Sequence, residues 1–396
     1  MIAERIMRIE VSPTMAVAAK AQKLLREGID VVDLSVGEPD FPTPENVKEA
    51  AIEALKKDFT KYTVNVGMPE LREAIARKLK NDNGLDYSPE EIIVSNGAKQ
   101  SLYNAVLTLV NPGDEVIIPS PYWVSYPNMV KLAEGKVKFL EAKEENGFKI
   151  TASDLESAIT KKTKLFVLCN PVNPTGAKYS RKELEEIAEV VISRNIYVLS
   201  DEIYEKLSYG SAGHTSFPSL KKELKEITVL INGVSKAYSM TGWRLGYAAS
   251  VTDIIKGMAK IQSHSTSNAS SISQYAAIAA LTDSQDAVER MRREFEKRRD
   301  LLHSKINSIR GLSAVLPEGA FYLFVNIKEL FGKKYAGKEI VNSLDFSLYL
   351  LNEARVAVVP GSAFGTEGYI RISYAASVEM LEKGVERIRA AVEKLT

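Results

Sequence analysis

The stretch KLFVLCNPVNPTGAKYSRKELEEIAEVVISRNIYVLSDEIY, residues 164–204, holds two short apolar runs with one amphipathic pattern between them. KLFVLCN and IYVLSDE lack the polar alternation of a half-exposed strand. Runs of this kind belong to strands buried on both faces. Between them, RKELEEIAEVVISR repeats its apolar residues at helical spacing. Strand, helix, strand in that order builds a parallel pair with a helical crossover. The alternation continues on both sides, from about residue 70 to 280. Helix PELREAIARKLKN precedes the run EEIIVS, SNGAKQSLYNAVLTLV reads as a loop opening a helix, and DEVIIPSP and ITVLING add further strands. The expectation is an α/β fold: a large domain with a mostly parallel sheet covered by helices.

Working outward, the first 35 residues read as an N-terminal arm and a helix, AVAAKAQKLLREG, which ends on Gly28. VVDLSVGEPDFPTP is a short strand running into a Pro/Gly-rich loop. After about residue 285 the texture changes. A long charged helix, AVERMRREFEKRRDLLHSKINSI, leads into the short strands FYLFVNI, VAVVPG and YIRISYA and a last helix, VEMLEKGVERIRAAVEKL. This pattern predicts a smaller α+β domain over 285–396, a large domain over 36–284, and an arm over 1–35 that packs with the small one. The 396 residues also exceed what one compact core usually holds.

Bulk properties exclude several function classes. Net charge is +1, with 45% hydrophobic and 26% charged residues, so neither a nucleic-acid footprint nor an acidic tail is indicated. No apolar run approaches the roughly 20 residues of a membrane span. MIAERIMRIEVSPTM lacks the apolar core of a secretory signal. The single cysteine, Cys169, rules out an internal disulfide and fits a reducing, cytoplasmic setting. His214, His264 and His303 match no zinc spacing, so no metal is expected. There is no P-loop, and no GxGxxG follows a strand.

In parallel sheets ligands bind beyond the C-terminal strand ends. After EEIIVS, Asn96-Gly97-Ala98-Lys99 opens a helix whose free N–H groups suit a phosphate. After KLFVLCN, the loop NPVNPTG presents Asn173. After IYVLS stands Asp201, with Tyr204 three residues on; a carboxylate at that depth needs a partner. An internal salt bridge is one explanation, and a protonated cofactor ring nitrogen is the other. ITVLING runs into GVSKAYSMTGWRLGY, residues 233–247, which carries Ser235, Lys236 and Arg244. Arginine grips phosphate bidentately. A lysine in an apolar pocket can lose its proton and form a Schiff base. Phosphate donors, a buried Asp, a Tyr and a Ser–Lys pair together are what pyridoxal 5'-phosphate requires.

NPVNPTG, SDEIY and SKAYSMTGWRLG, in this order and spacing, resemble the class I (fold-type I) aminotransferases, and within them the bacterial and archaeal aspartate aminotransferases. The resemblance runs from VGEPDFPTP to YIRISYA. It implies that Lys236 bonds the cofactor aldehyde and shuttles a proton between the substrate's Cα and the cofactor's C4′. Asp201 would keep the pyridine nitrogen protonated, and Tyr204 and Asn173 would bond the ring's O3′. Gly97, Ala98, Ser235 and Arg244 would hold the phosphate, with Lys99 beside it. Trp123 would stack on the ring. Tyr62 would reach the phosphate of a neighbouring subunit, making the active unit a homodimer. Arg371 would clamp the substrate α-carboxylate, helped by the Gly37 backbone N–H and by Asn173. Ser12-Pro13-Thr14 would close over the ligand.

The implied reaction moves an amino group from aspartate to 2-oxoglutarate by a ping-pong mechanism. IQSHSTSNASSIS contains no arginine for a distal carboxylate, whereas Lys99 matches a lysine that another branch uses. Other readings are an aminotransferase for aromatic, alanine or prephenate-type substrates, a β-lyase, or a non-catalytic sensor. The sensor reading lacks both a basic patch and room before VVDLSVGEPD for a DNA-binding module. Tyr122, Trp123, Tyr126 and Phe364 could pack in the core or line an aromatic substrate pocket; aromatic side chains in such segments are more often core, and they do not choose the substrate.

Overall fold

A computed structural model describes residues 2–9 and 13–396. The Ser12-Pro13-Thr14 expectation concerns Ser12 and side chains that lie outside the described residues. The first strand, β1 (Val32–Asp33), joins no early partner. It pairs in parallel with Val356–Ala357 near the other end of the chain.

The main sheet has seven strands: β2 (Ile92–Ser95), β3 (Glu115–Ser120), β4 (Lys136–Glu141), β5 (Thr163–Cys169), β6 (Tyr197–Asp201), β7 (Thr228–Gly233) and β8 (Gly246–Ala249). Their order is β2-β8-β7-β6-β5-β3-β4. All neighbours are parallel except those of β8, which runs antiparallel to β2 and β7. The central strands are buried on both faces, as their unbroken apolar runs require. Each large side chain sealed there, such as Phe166, contributes roughly 1.5–3 kcal/mol relative to exposure. Edge strand β4 reads KVKFLE and stays partly exposed. Its alternating polarity is why a search for apolar runs passes over it.

A second, antiparallel sheet contains β9 (Ser313–Ala314) and β10 (Tyr322–Asn326). A hairpin of β11 (Lys334–Tyr335) and β12 (Lys338–Glu339) follows, then β13 (Val356–Ala357), β14 (Val359–Pro360) and β15 (Tyr369–Ser373). The order of this sheet is β14-β15-β10-β9. Its core, with Phe321, Leu323 and Ile372, also takes in Val32 and Leu34 from the N-terminal segment and Ile203 and Leu207 from beyond β6. The long helix Asp286–Asn307 lies against β9 and β10.

Candidate active site

Register brings the strand ends together. Cys169 of β5 pairs with Asp201 of β6, and Asp201 pairs with Ile231 of β7. Since β8 is antiparallel to both its neighbours, β2 runs the same way as β7. Ser95 and Gly233 both face Gly246. The helix Ala98–Leu109 therefore starts beside the segment that carries Ser235 and Lys236. Arg244 precedes an antiparallel strand instead of following a parallel one, and reaches the same edge. Around this edge lies a cavity of about 570 Å³, within the usual range for small-molecule sites.

Asp201 is buried and has no cationic partner among the described residues. Tyr126 donates to its Oδ2 at 2.6 Å, and the Ile203 N–H to its Oδ1 at 3.3 Å. Burial lifts its pKa to about 6, against the pull of those two donors. The internal salt bridge entertained from sequence is not there. Tyr126 is thus part of the core and of the cavity wall at once, and it is also the hydrogen-bond partner of the buried carboxylate. Behind it, Glu205 pairs with buried Lys78, and Glu202 accepts from the Phe217 N–H at 2.9 Å. These contacts pin the segment that carries Asp201 and Tyr204.

Lys236 Nζ donates to the Gly37 carbonyl at 2.5 Å. Burial first, then the positive charge of Arg371, lowers its pKa to about 8. Its amine is therefore far easier to deprotonate than a surface lysine. Gly37 turns its carbonyl to this lysine, and it also lines the cavity.

At the anion end, Gly97 caps the helix Ala98–Leu109 with φ 82° and ψ 158°, and no side chain caps the first turn. A Cβ on Gly97 would lie 2.7 Å from Arg244 Nη2. A Cβ on Gly246 would lie 2.1 Å from the Ala98 nitrogen. Two glycines thus let guanidinium, helix start and β8 close up into one cradle. Lys99 Nζ lies 4.9 Å from the centre of the Trp123 ring. Partial desolvation, then Arg244, holds the Lys99 pKa below its usual value. Trp123 in turn meets Tyr126 edge-on, with centroids 5.3 Å apart.

Arg371 comes from β15, opposite Phe324 of β10. It is buried, donates to Asn173 Oδ1 and to the Ser35 carbonyl, both at 2.9 Å, and leaves Nε unpartnered. No carboxylate pairs with it among the described residues. A buried charge satisfied only by neutral acceptors is poised for an anion. Asn173 contacts Arg371, and Tyr204 Oη meets Tyr322 Oη at 2.9 Å. Tyr62, by contrast, is 92% exposed and lines no part of this cavity. Sequence reading missed Tyr322 and Ser35; the aromatic FYLFVNI signalled only a strand.

The family model for aminotransferase class I and II matches residues 29–388. The chain belongs to this family. It is 50% identical over 389 residues to an aspartate aminotransferase of Bacillus sp. (strain YM-2), covering 98% of each chain. It is also 50% identical to a probable aspartate/prephenate aminotransferase of Rickettsia bellii, over 100% of this chain and 99% of that one. A solved structure of aspartate aminotransferase from Thermus thermophilus with maleate superposes with a TM-score of 0.93 at 43% identity, covering 99% of each chain.

As a member of this family the protein is a pyridoxal-phosphate-dependent aminotransferase, and its cavity fits that cofactor. A cradle closed by Arg244 against Gly97 suits a phosphate. The buried, cation-free Asp201 suits a protonated ring nitrogen. The easily deprotonated Lys236 suits an aldehyde.

Proposed function

We propose that this aminotransferase moves the amino group of aspartate to 2-oxoglutarate in two half-reactions, ping-pong fashion. The observation that carries the reading is Arg371, a buried guanidinium without a carboxylate partner among the described residues, opening on the same cavity as Lys236 and Lys99. A dicarboxylate places one carboxylate on Arg371 and the other near Lys99. The maleate bound by the Thermus thermophilus relative is itself a dicarboxylate and supports this choice.

Pyridoxal phosphate, when bound, supplies an aldehyde that takes up the amino group and a ring that accepts the electrons of the Cα–H bond. The remaining work falls to the chain. The helix start at Gly97, Ala98 and Lys99, with Ser235 and Arg244, holds the phosphate. Asp201 would keep a proton on the ring nitrogen, Tyr204 and Asn173 would serve the ring oxygen, and Trp123 would lie against the ring. Lys236 Nζ would take the proton from the substrate Cα and hold it for return to the product. Arg371, Asn173 and the Gly37 segment orient the substrate so that its Cα–H faces Nζ. Holding these groups in place before reaction is what lowers the barrier.

Several companion proposals follow. Tyr62 serves the phosphate of a partner subunit in a homodimer; its exposure in the single chain supports this. The chain divides into 1–35, 36–284 and 285–396, in keeping with the separation of its seven-stranded sheet from its four-stranded one. The enzyme acts in the cytoplasm; no helix among the described residues is long and apolar enough to cross a membrane. The test of the substrate is a titration of the holoenzyme's visible absorbance with aspartate, phenylalanine and alanine. Aspartate should convert the cofactor fastest. A faster conversion by phenylalanine or alanine removes the aspartate assignment. Lys236→Ala should lose both the yellow form and turnover.

A further inference from the structure

Tyr322 stands at the first position of β10, two residues from Phe324, which pairs with Arg371. Its partner in register is Ser373, so Arg371 is its diagonal neighbour on the same sheet face. Three contacts meet on this one side chain. Its hydroxyl lies 2.9 Å from that of Tyr204. Its ring centre lies 4.2 Å beneath the Arg371 guanidinium. A Cβ on Gly37, whose carbonyl accepts from Lys236, would come 3.1 Å from the Tyr322 hydroxyl.

We propose that Tyr322 is a positioning residue for this reaction: its hydroxyl donates to Tyr204 and turns the Tyr204 proton toward the cofactor's ring oxygen, while its ring seats the guanidinium of Arg371. The assignment presupposes the reading of Tyr204 given above. A phenol has one proton to give. An ionised ring oxygen is a stronger acceptor than a neutral phenol, so Tyr204 gives its proton there. Its own oxygen then accepts, and the donor is Tyr322. Gly37 walls in the Tyr322 hydroxyl, and no other hydrogen-bond partner of that hydroxyl exists among the described residues. Hydrogen bonds in such a chain polarise and strengthen one another. The other titratable groups facing the tyrosine pair are Arg371, Lys236 and Cys169. All three are left in place by Tyr322→Phe. The same ring supports the charge that takes the substrate carboxylate, so one residue sets the geometry of both cofactor and substrate contacts.

The test uses the holoenzyme and the pH midpoint of its visible absorbance. A donor on the ring oxygen stabilises the form lacking the proton shared beside it, so removing the donor raises the midpoint. Tyr204→Phe should raise it by more than about one pH unit, and Tyr322→Phe by about half a unit. In a Tyr204→Phe background, Tyr322→Phe should add nothing, because its effect runs through Tyr204. Tyr322→Phe keeps the ring and should leave KM for aspartate within about twofold. Tyr322→Leu removes the ring and should raise KM by about tenfold. A midpoint unmoved by Tyr322→Phe, while Tyr204→Phe moves it, overturns the assignment. Equal shifts from Tyr322→Phe in both backgrounds overturn it too. A midpoint unmoved by Tyr204→Phe instead removes the underlying reading of Tyr204.

Discussion

Lys236 and Asp201 are displaced in opposite directions by the same cause, burial. With a pKa of about 8, Lys236 is neutral in about a quarter of molecules at pH 7.5, against about one in a thousand for an ordinary lysine. The rate at which cofactor-free protein takes up pyridoxal phosphate should therefore climb through pH 8. Stopped-flow absorbance checks this; a climb centred near 10 would show that burial does not activate the amine. Asp201 holds its proton up to about pH 6, above its ordinary 3.8. Between those values the folded cofactor-free protein binds more protons than the unfolded chain. Its stability therefore falls as pH rises across that window and stays lower above it. Two pKa units correspond to ~3 kcal/mol. Asp201→Asn should make the cofactor-free protein more stable at pH 8 by an amount of that order, with no gain at pH 4, while turnover is lost. Urea unfolding at the two pH values measures the difference. Both residues were legible in sequence because Asp201 directly follows an apolar run and Lys236 stands three residues beyond another. Tyr322 was not, since its bond to Tyr204 spans 118 positions and nothing local marks it.

At the scale of elements, close approach between backbone segments shapes the anion cradle. Gly97 occupies a region of φ and ψ that only glycine adopts without strain, and its missing side chain makes room for Arg244. Gly97→Ala should weaken cofactor binding by roughly 1–3 kcal/mol, about 5- to 150-fold. Titration of the cofactor-free variant with pyridoxal phosphate reads this directly, and unchanged affinity would remove the cradle from the account. On the far side of β6, helix Pro69–Asn83 sends Lys78 to Glu205. Burial is the largest single influence and would raise the Glu205 pKa; the charges of Lys78 and His214 and the hydrogen bonds from Lys78 and Asn83 together outweigh it and bring the value to about 2. Glu205→Ala strands a buried ammonium and should cost about 3–5 kcal/mol in chemical denaturation. The parallel strands themselves were plain in the sequence, because burial on both faces leaves continuous apolar runs. The reversed direction of β8 was not, since WRLGYAAS reads the same whichever way it runs. That reversal brings Arg244, which precedes its strand, to the edge where all the other groups follow theirs.

The whole molecule is where the sequence and the single chain diverge most usefully. Tyr62 matches a cofactor contact in sequence, yet within one chain it is exposed and far from serving its own cavity. In the same stretch of sequence, Ile52, Leu55 and Val64 are exposed as well, apolar side chains that a partner could cover. A second copy that covers this surface and takes Tyr62 into its own site accounts for both facts. Mixed dimers separate this arrangement from its alternative. Pair a Lys236→Ala chain with a Tyr62→Ala chain. If Tyr62 acts across the interface, the site with intact Lys236 receives an intact Tyr62 from its partner, and the other site loses both. Each hybrid then has one wild-type site, although each parent homodimer is impaired at both. Random reassortment makes about half the dimers hybrids, so about a quarter of wild-type sites should return at limiting cofactor. If Tyr62 acts within its own chain, the site with intact Lys236 lacks it, and mixing restores nothing. Activity measured before and after subunit exchange, with hybrids isolated by differential tags, distinguishes the two outcomes without any change in the residues around Asp201 or Arg371.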